Sequence, residues 1–408
     1  MPALTSMTCQ SRFFPVRPPQ LAALPEVTAA LAARAAEHDR DGSFPADGIS
    51  RVHAAGLLTA SVAERYGGAG AGLATTVGIL RALGRGDPSV ALITAMTLLT
   101  HAMQARQPTW PRRIYEEVLE ESATRPVLIN ALRVEPELGT PARGGLPATV
   151  ARWYSGTWLL SGRKIFSTGA SGLRWMVVWA RTDEEPARVG SFLVRTDSPG
   201  IRIERTWDHL GLRASRSDDV IFTDTPVPPS ATDGLHAPAS PVPMDPAFLA
   251  WNSLGLAALY LGVAAAARDW LVGFLGERTP SALGRPLATL PRFQTAVGEI
   301  EAALTGADDL VDALALRVDA GDESVAGHPA IAKLIATRAA IGAVGQAVEL
   351  VGNNALTRKN PLERHYRDVL CARVHTPQDD SILSAAGRSA LAAALSDTTT
   401  TTTTTGAS

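Results

Sequence analysis

Three short stretches carry the side chains that could do chemistry. The first is Arg373-Val374-His375-Thr376-Pro377-Gln378-Asp379-Asp380, an imidazole a few residues ahead of two carboxylates. Imidazole titrates close to neutrality and suits proton transfer; its plainer role is a loop histidine bonding backbone. A metal corner is the other reading of that trio, but no further histidine or cysteine lies nearby to complete a ligand set, so no metal is expected. Asp379 and Asp380 precede the apolar run from Ile382 and suit a helix N-cap and first turn. The second stretch, Phe166-Ser167-Thr168, closes a strand-like run with one aromatic face and two hydroxyls, and the third ends in Asn130. Hydroxyl and amide both donate and accept hydrogen bonds, although strand-end polar groups are often satisfied locally. Tyr66-Gly67-Gly68-Ala69-Gly70-Ala71-Gly72 invites a dinucleotide reading, but that fingerprint must follow a strand. Here a helical stretch precedes it, so a loop is expected. Neither a G-x-S-x-G elbow nor a P-loop occurs.

The elements that must position these residues fall into three regions, giving an α+β chain. Residues 1–125 read as an N-terminal helical domain. Leu21–His38, Ser50–Leu58, Thr75–Arg85 and Asp87–Ala105 carry apolar residues at helical spacing, the last with Asp87 as N-cap and Pro88 at the first helical position. Residues 126–230 change to alternating, β-branched texture. Val127–Leu132, Ala148–Arg152, Trp158–Ser161, Trp175–Arg181, Gly190–Val194, Ile201–Arg205 and Asp219–Phe222 read as short strands of a central antiparallel, barrel-like β domain. Pro226 to Pro246 reads as a Pro-rich linker. Residues 231–396 then hold a C-terminal four-helix bundle built from Phe248–Leu275, Leu290–Ala320, Pro329–Val351 and Asp379–Leu395. Residues 397–408, mostly threonine, cannot pack a core and are expected to be disordered.

Composition bounds the function. Hydrophobic residues make up 46% and charged residues 19% of 408, enough for a sizeable core. Lys and Arg total 38 against 40 acids, a net charge of −2, so no nucleic-acid partner is expected. Only Lys164, Lys333 and Lys359 are lysines, which reads as codon usage. Cys9 and Cys371 alone form no disulfide framework and fit a reduced cytoplasmic compartment. Ala247 to Ala267 is free of charge and long enough to span a bilayer. It carries Asn252, Ser253 and Tyr260 and runs into Arg268-Asp269, so a buried bundle helix is expected and no membrane partner.

With the order helical, β, helical on the page, five motifs fall into register with one family. Glu64-Arg65-Tyr66-Gly67-Gly68-Ala69-Gly70 resembles an E-x-Y-G-G-x-G loop, and Ala131 to Thr140 a T-E-P-x-x-G-S turn. Leu160 to Gly169 is similar to L-N-G-x-K-x-W-I-T-N. Asp208 to Ser215, with Pro226-Val227-Pro228, is similar to L-G-x-R-x-S followed by V-P. Pro361 to Asp368 resembles P-x-E-R-x-x-R-D. These are motifs of the acyl-CoA dehydrogenase superfamily, and the resemblance covers about Leu21 to Leu395. It implies a homodimer or homotetramer with flavin, FAD or FMN, at a subunit interface.

Carried over residue by residue, the resemblance puts Phe166, Ser167 and Thr168 against the flavin ring, Thr168 near N5 and O4, and Val134 at the pyrimidine edge, where most relatives have threonine. It makes Arg278 the cation reaching a neighbouring subunit's flavin phosphates, with Gln294 beside it, and Glu349 to Asn354, including Gly352 and Asn353, the loop over the adenine side. A solvated helix-end charge is the plainer reading of Arg278 and Glu349. Thioester dehydrogenation needs a carboxylate base. In relatives it follows the R-D motif by nine residues, here near Thr376, or stands on the first bundle helix, here Trp251-Asn252-Ser253. Neither place holds one. His375 in that loop, with Ser167 and Asn130 as partners for flavin or oxygen, resembles instead the family's flavin-dependent monooxygenases. Three readings remain: a monooxygenase of a small molecule, with a separate flavin reductase as a possible partner; an acyl-CoA dehydrogenase with a relocated base; and a non-catalytic flavin- or acyl-binding scaffold.

Overall fold

The structure, a computed structural model, describes residues 14, 16–138, 145–238 and 245–401, and side chains as far as 392. Gly139 and Thr140 of the turn motif, Cys9, and 402–408 of the threonine tail lie outside the described residues. The chain divides into two compact units. One takes residues up to Ile79, Ser89–His209 and Arg213 onward through the sheet; the other takes Leu80–Pro88, Leu210–Leu212 and the helices that follow.

In the first unit α1 (Leu24–Asp41), α2 (Ala46–Ala54), the first half of α3 (Leu73–Gly86), α4 (Pro88–Arg106) and α5 (Arg112–Ser122) accompany eight strands. The strands are β1 (Leu128–Leu132), β2 (Val150–Tyr154), β3 (Thr157–Lys164), β4 (Leu173–Thr182), β5 (Val189–Arg195), β6 (Ile201–Glu204), β7 (Asp219–Val227) and β8 (Thr232–His236). Helices and sheet form one compact unit. α4 is mostly buried, and its Thr97 Oγ1 accepts from Ile129 N of β1 at 3.1 Å. The sheet order is β6-β7-β3-β2-β4-β5-β8, with β1 on β4. It is antiparallel except where β1 and β2 both run parallel to β4, so the expected antiparallel sheet is mixed at that point. β8 is a further correction: it lies inside the Pro-rich segment read as linker, because Thr232 and Asp233 pair with β5. The Gly-rich stretch is a loop, as expected. It follows the 3₁₀ turn Glu64–Tyr66, and a Cβ on Gly68 would lie 2.1 Å from Val62 O.

The second unit is helical: α6 (Pro246–Glu277), α7 (Pro291–Asp319), α8 (His328–Val351), the short α9 (Asn353–Leu356), α10 (Leu362–Leu370) and α11 (Asp379–Thr401). α6, α7 and α8 pack on one another, α10 lies against α6 and α8, and α11 against α8. Asp245 caps α6, its Oδ1 accepting from Ala247 N at 2.9 Å, with Pro246 at the first position. α6 is the charge-free helix of the sequence. Its most apolar window is 83% buried, which makes it a core helix. The second half of α3 crosses it closely, for a Cβ on Gly84 would lie 2.3 Å from Leu259 O and one on Gly262 2.2 Å from Arg81 O. α11 continues through Thr401, into the threonine run read as disordered.

Two motifs that are distant in sequence dock within this unit. Leu212 N–H donates to Asp368 Oδ1 at 2.7 Å, and Arg367 donates to Leu210 O at 2.8 Å. Gly211 is required there, since its Cβ would fall 2.4 Å from Arg367 O.

Candidate functional site

The sheet unit gathers Asn130, Ser167 and Thr168 where β1 ends beside the turn after β3. Asn130 Nδ2 donates to Thr168 O at 3.0 Å, so part of this amide holds backbone in place. Thr168 Oγ1 lies 3.0 Å from Ser217 Oγ, which lies 2.9 Å from Ser215 Oγ, a chain of three hydroxyls. Ser167 differs: its Oγ is fully buried and has no hydrogen-bond partner. A buried hydroxyl without a partner is costly, and a ligand heteroatom would relieve it. Sequence reasoning named Ser167 and Thr168 but not Ser217; the two serines of the Ser215-Arg216-Ser217 turn were the available signal.

Phe166 stands beside them at φ +56°, a left-handed backbone rarely adopted by a bulky residue, and its ring is 52% exposed. Trp207 and His209 stack at 3.7 Å, and Phe166 points edge-on to both, at 6.3 and 5.9 Å. Asp218 Oδ1 anchors that segment by accepting from Thr206 N and Trp207 N, each at 3.0 Å. Val134 uses its carbonyl to accept from Ile165 N at 3.0 Å. The neighbouring Glu135 is structural. Its carboxylate takes Lys164 Nζ, Ala148 N and both the amide and hydroxyl of Thr149. Burial alone would raise its pKa, but Lys164 and Thr149 outweigh this and hold it below the usual range.

The helical unit holds His375 on the turn before α11. Its Nδ1 lies 2.7 Å from Tyr260 Oη of α6. The turn's carbonyls are taken as well: Lys333 Nζ of α8 donates to Ala372 O, His375 O and Pro377 O at 3.3, 2.9 and 2.8 Å, and Asn252 Nδ2 of α6 to Thr376 O at 2.7 Å. Burial, and secondarily the Lys333 charge, push the imidazole down to about 4. The sequence expectation of a ring titrating near neutrality is thereby corrected: at pH 7 the ring is neutral. Burial, then Cys371 and Asp368, push the Tyr260 phenol well above its ordinary range, so the pair shares protons without net charge. With the phenol donating to Nδ1, Nε2 carries the ring hydrogen.

Asp379 pairs with Arg338 Nε of α8 at 3.1 Å and opens α11 with Asp380, as their helix-start reading expects. Tyr260 and Lys333 escaped sequence reasoning: one sat in a charge-free helix read as core, the other was put down to codon usage.

The residues assigned to the adenine half lie exposed on the helical unit. Arg278 ends α6 and its carbonyl accepts from Leu287 N at 3.0 Å; Gln294 Nε2 donates to Ala288 O at 3.1 Å, so both border one turn. Glu349, Gly352 and Asn353 end α8 and begin α9. Gln346 Nε2 donates to Glu299 Oε2 at 2.6 Å, which sets that end of α8 beside the start of α7, where Gln294 lies.

Comparison with known proteins adds three matches in chain order: the N-terminal domain of acyl-CoA dehydrogenase over residues 26–107, its middle domain over 133–225 and its C-terminal domain over 254–379. The Bacillus subtilis acyl-CoA dehydrogenase homologue YdbM is 32% identical across 86% of this chain and 90% of its own length. L-evernosamine nitrososynthase of a Micromonospora species is 32% identical across 83% of this chain and 82% of its own. The structure of KijD3 in complex with FMN and a dTDP-3-amino-4-keto sugar superposes with a TM-score of 0.75 at 28% identity, covering 93% of this chain and 97% of that one.

Proposed function

This chain belongs to the acyl-CoA dehydrogenase family, and within it we propose a flavin-dependent monooxygenase that oxygenates a carbon, nitrogen or sulfur centre of a small molecule. The observation that carries this reading is the contact between Asn252 and Thr376. By the resemblance they stand at the two places where the family's dehydrogenases carry their glutamate base; Asn252 Nδ2 donates to Thr376 O at 2.7 Å, and neither residue is a carboxylate. Without a base to take an α-proton, thioester desaturation has no first step. The nitrososynthase relative, and the FMN and amino sugar in KijD3, support the oxygenase side.

The residues fit a flavin. The unpartnered Ser167 hydroxyl can bond a ring heteroatom, the Thr168 hydroxyl lies beside it, and the exposed Phe166 ring offers an apolar face. Arg278, Gln294 and the Glu349–Asn353 segment would hold the phosphate and adenine side of a flavin in a second subunit, which makes the protein a homodimer or homotetramer. Reduced flavin, delivered by a separate reductase, supplies the electrons that activate dioxygen. Asn130 keeps the Thr168 backbone in place. His375, neutral and with Nδ1 accepting from the Tyr260 phenol, would offer its Nε2–H as a single hydrogen-bond donor that carries no charge.

Anaerobic mixing of the oxidised, flavin-loaded protein with a panel of acyl-CoA thioesters tests the proposal. The flavin should keep its colour, and reduced flavin with air should oxygenate a small amine, sulfide or ketone in a screen. Bleaching by any thioester would instead establish the dehydrogenase reading.

A further inference from the structure

We propose that Lys333 is the positioning residue of His375: its ammonium gathers three carbonyls of the 372–377 turn and so fixes where the imidazole stands. The inference rests on the role given to His375 above and adds to it the device that holds the ring.

Lys333 is fully buried on α8. Among the described residues no carboxylate hydrogen-bonds it; its three acceptors are the carbonyls of Ala372, His375 and Pro377. An ammonium has three tetrahedrally disposed donors, and three convergent carbonyls satisfy all of them, replacing its water shell. A guanidinium is planar and presents its donors as a fork, so arginine cannot make the same arrangement. That distinction matters in a chain where 35 of 38 cations are arginine and a lysine stands here.

An apolar residue there would strip the ammonium's donors from three turn carbonyls, which itself costs stability. What Lys333 contributes is selective. It holds the carbonyl of His375 itself and those of Ala372 before it and Pro377 after it. Asn252 takes Thr376 O, and Tyr260 takes ring Nδ1. Backbone and ring are thus tied from α6 and α8 together, which leaves Nε2 as the free ring nitrogen.

The titratable groups about the ring are Tyr260 on α6 and Lys333 on α8. Asp379 acts on Lys333 from α11, and Cys371 and Asp368 act on Tyr260.

The experiment uses full-length protein with ¹⁵N-labelled histidine. In the wild type the His375 ring should show one tautomer and stay neutral to about pH 5. Lys333→Met and Lys333→Arg should retain flavin within about twofold, while product formed per reduced flavin consumed falls about tenfold, in kcat and not KM. In Lys333→Met the His375 titration should move upward, because a neighbouring positive charge is gone. Lys333→Arg keeps the charge and should still fail to restore coupling, which separates geometry from electrostatics. A wild-type ring that titrates near 6.5 through two tautomers would overturn the inference even if neither variant folds. So would a folded Lys333→Met with unchanged His375 signals and coupling. If the ring signals change as expected but His375→Ala is fully active, the positioning stands and the functional reading falls.

Discussion

At the residue scale the proposal rests on His375 and Ser167, and each yields a prediction. His375→Ala should leave flavin binding intact and lower product formation by ~10²-fold, about the worth of one positioned hydrogen-bond donor. Reduced flavin would still be consumed, its electrons appearing as hydrogen peroxide in a peroxidase-coupled assay. Asp379→Asn should be mild, because that carboxylate serves Arg338; loss of activity there with a fully active His375→Ala would reverse the assignment. Ser167 makes a different kind of prediction. Its hydroxyl is buried with no partner, so Ser167→Ala should leave the melting temperature of flavin-free protein unchanged or slightly higher. The rise in Tm on adding flavin should shrink, reflecting a lost hydrogen bond of ~0.5–1.5 kcal/mol. An equal rise in both proteins would mean the hydroxyl faces no ligand. Both were named from sequence because the resemblance sets them where the family's dehydrogenases carry other residues. Their protonation was not: the depressed pKa of His375 comes from burial and a lysine 42 residues away.

At the scale of elements, two helices bury histidines in neutral form. His101 of α4 is fully buried, its Nδ1 3.0 Å from Tyr115 Oη, and burial pushes it down to about 4. His365 of α10 is pushed down to about 3, by burial first and then by Arg364. A histidine whose folded pKa lies below its unfolded value of about 6.5 binds more protons unfolded than folded under acid. The stability contributed by its neutral form is fully present above pH 6.5 and falls as pH drops toward 4. Each group costs up to about 1.4 kcal/mol per pH unit within that window. Urea titrations at pH 7.5, 5.5 and 4.5 should therefore show falling midpoints, and His101→Gln should flatten the trend. A flat wild-type profile between pH 6.5 and 4.5 would show that these rings are not held neutral. Long elements with strong periodicity, such as α6, α7 and α8, were readable from sequence within a few residues. β8 was not, because the turn residues of its Pro-rich neighbourhood mask a strand whose pairing partner, β5, lies some forty residues earlier.

For the whole molecule the prediction concerns assembly. Arg278, Gln294, Glu349, Gly352 and Asn353 lie exposed at ends of α6, α7, α8 and α9, and their proposed role is met only by a flavin of another copy. Sedimentation at micromolar concentration should show a dimer or tetramer, and Arg278→Ala should weaken flavin binding by removing a phosphate cation. A monomer that binds flavin with full affinity would remove both the assembly and the role.

Local pattern was enough for much of this protein. The alternation of strands, the helical periods, the Asp-Pro start of α4, and five motifs in register together specified the α, β, α order, the family and the flavin. Each of these signals lies within a few residues of chain, where propensity and side-chain chemistry act directly. Tertiary structure alone decided which polar groups meet. Tyr260 looked like core until it lay 2.7 Å from His375, Lys333 looked like codon usage until three carbonyls closed on it, and Asn252 and Thr376 touch across 124 residues of chain. Hydrogen bonds and desolvation depend on distance and burial, and only the folded chain sets those.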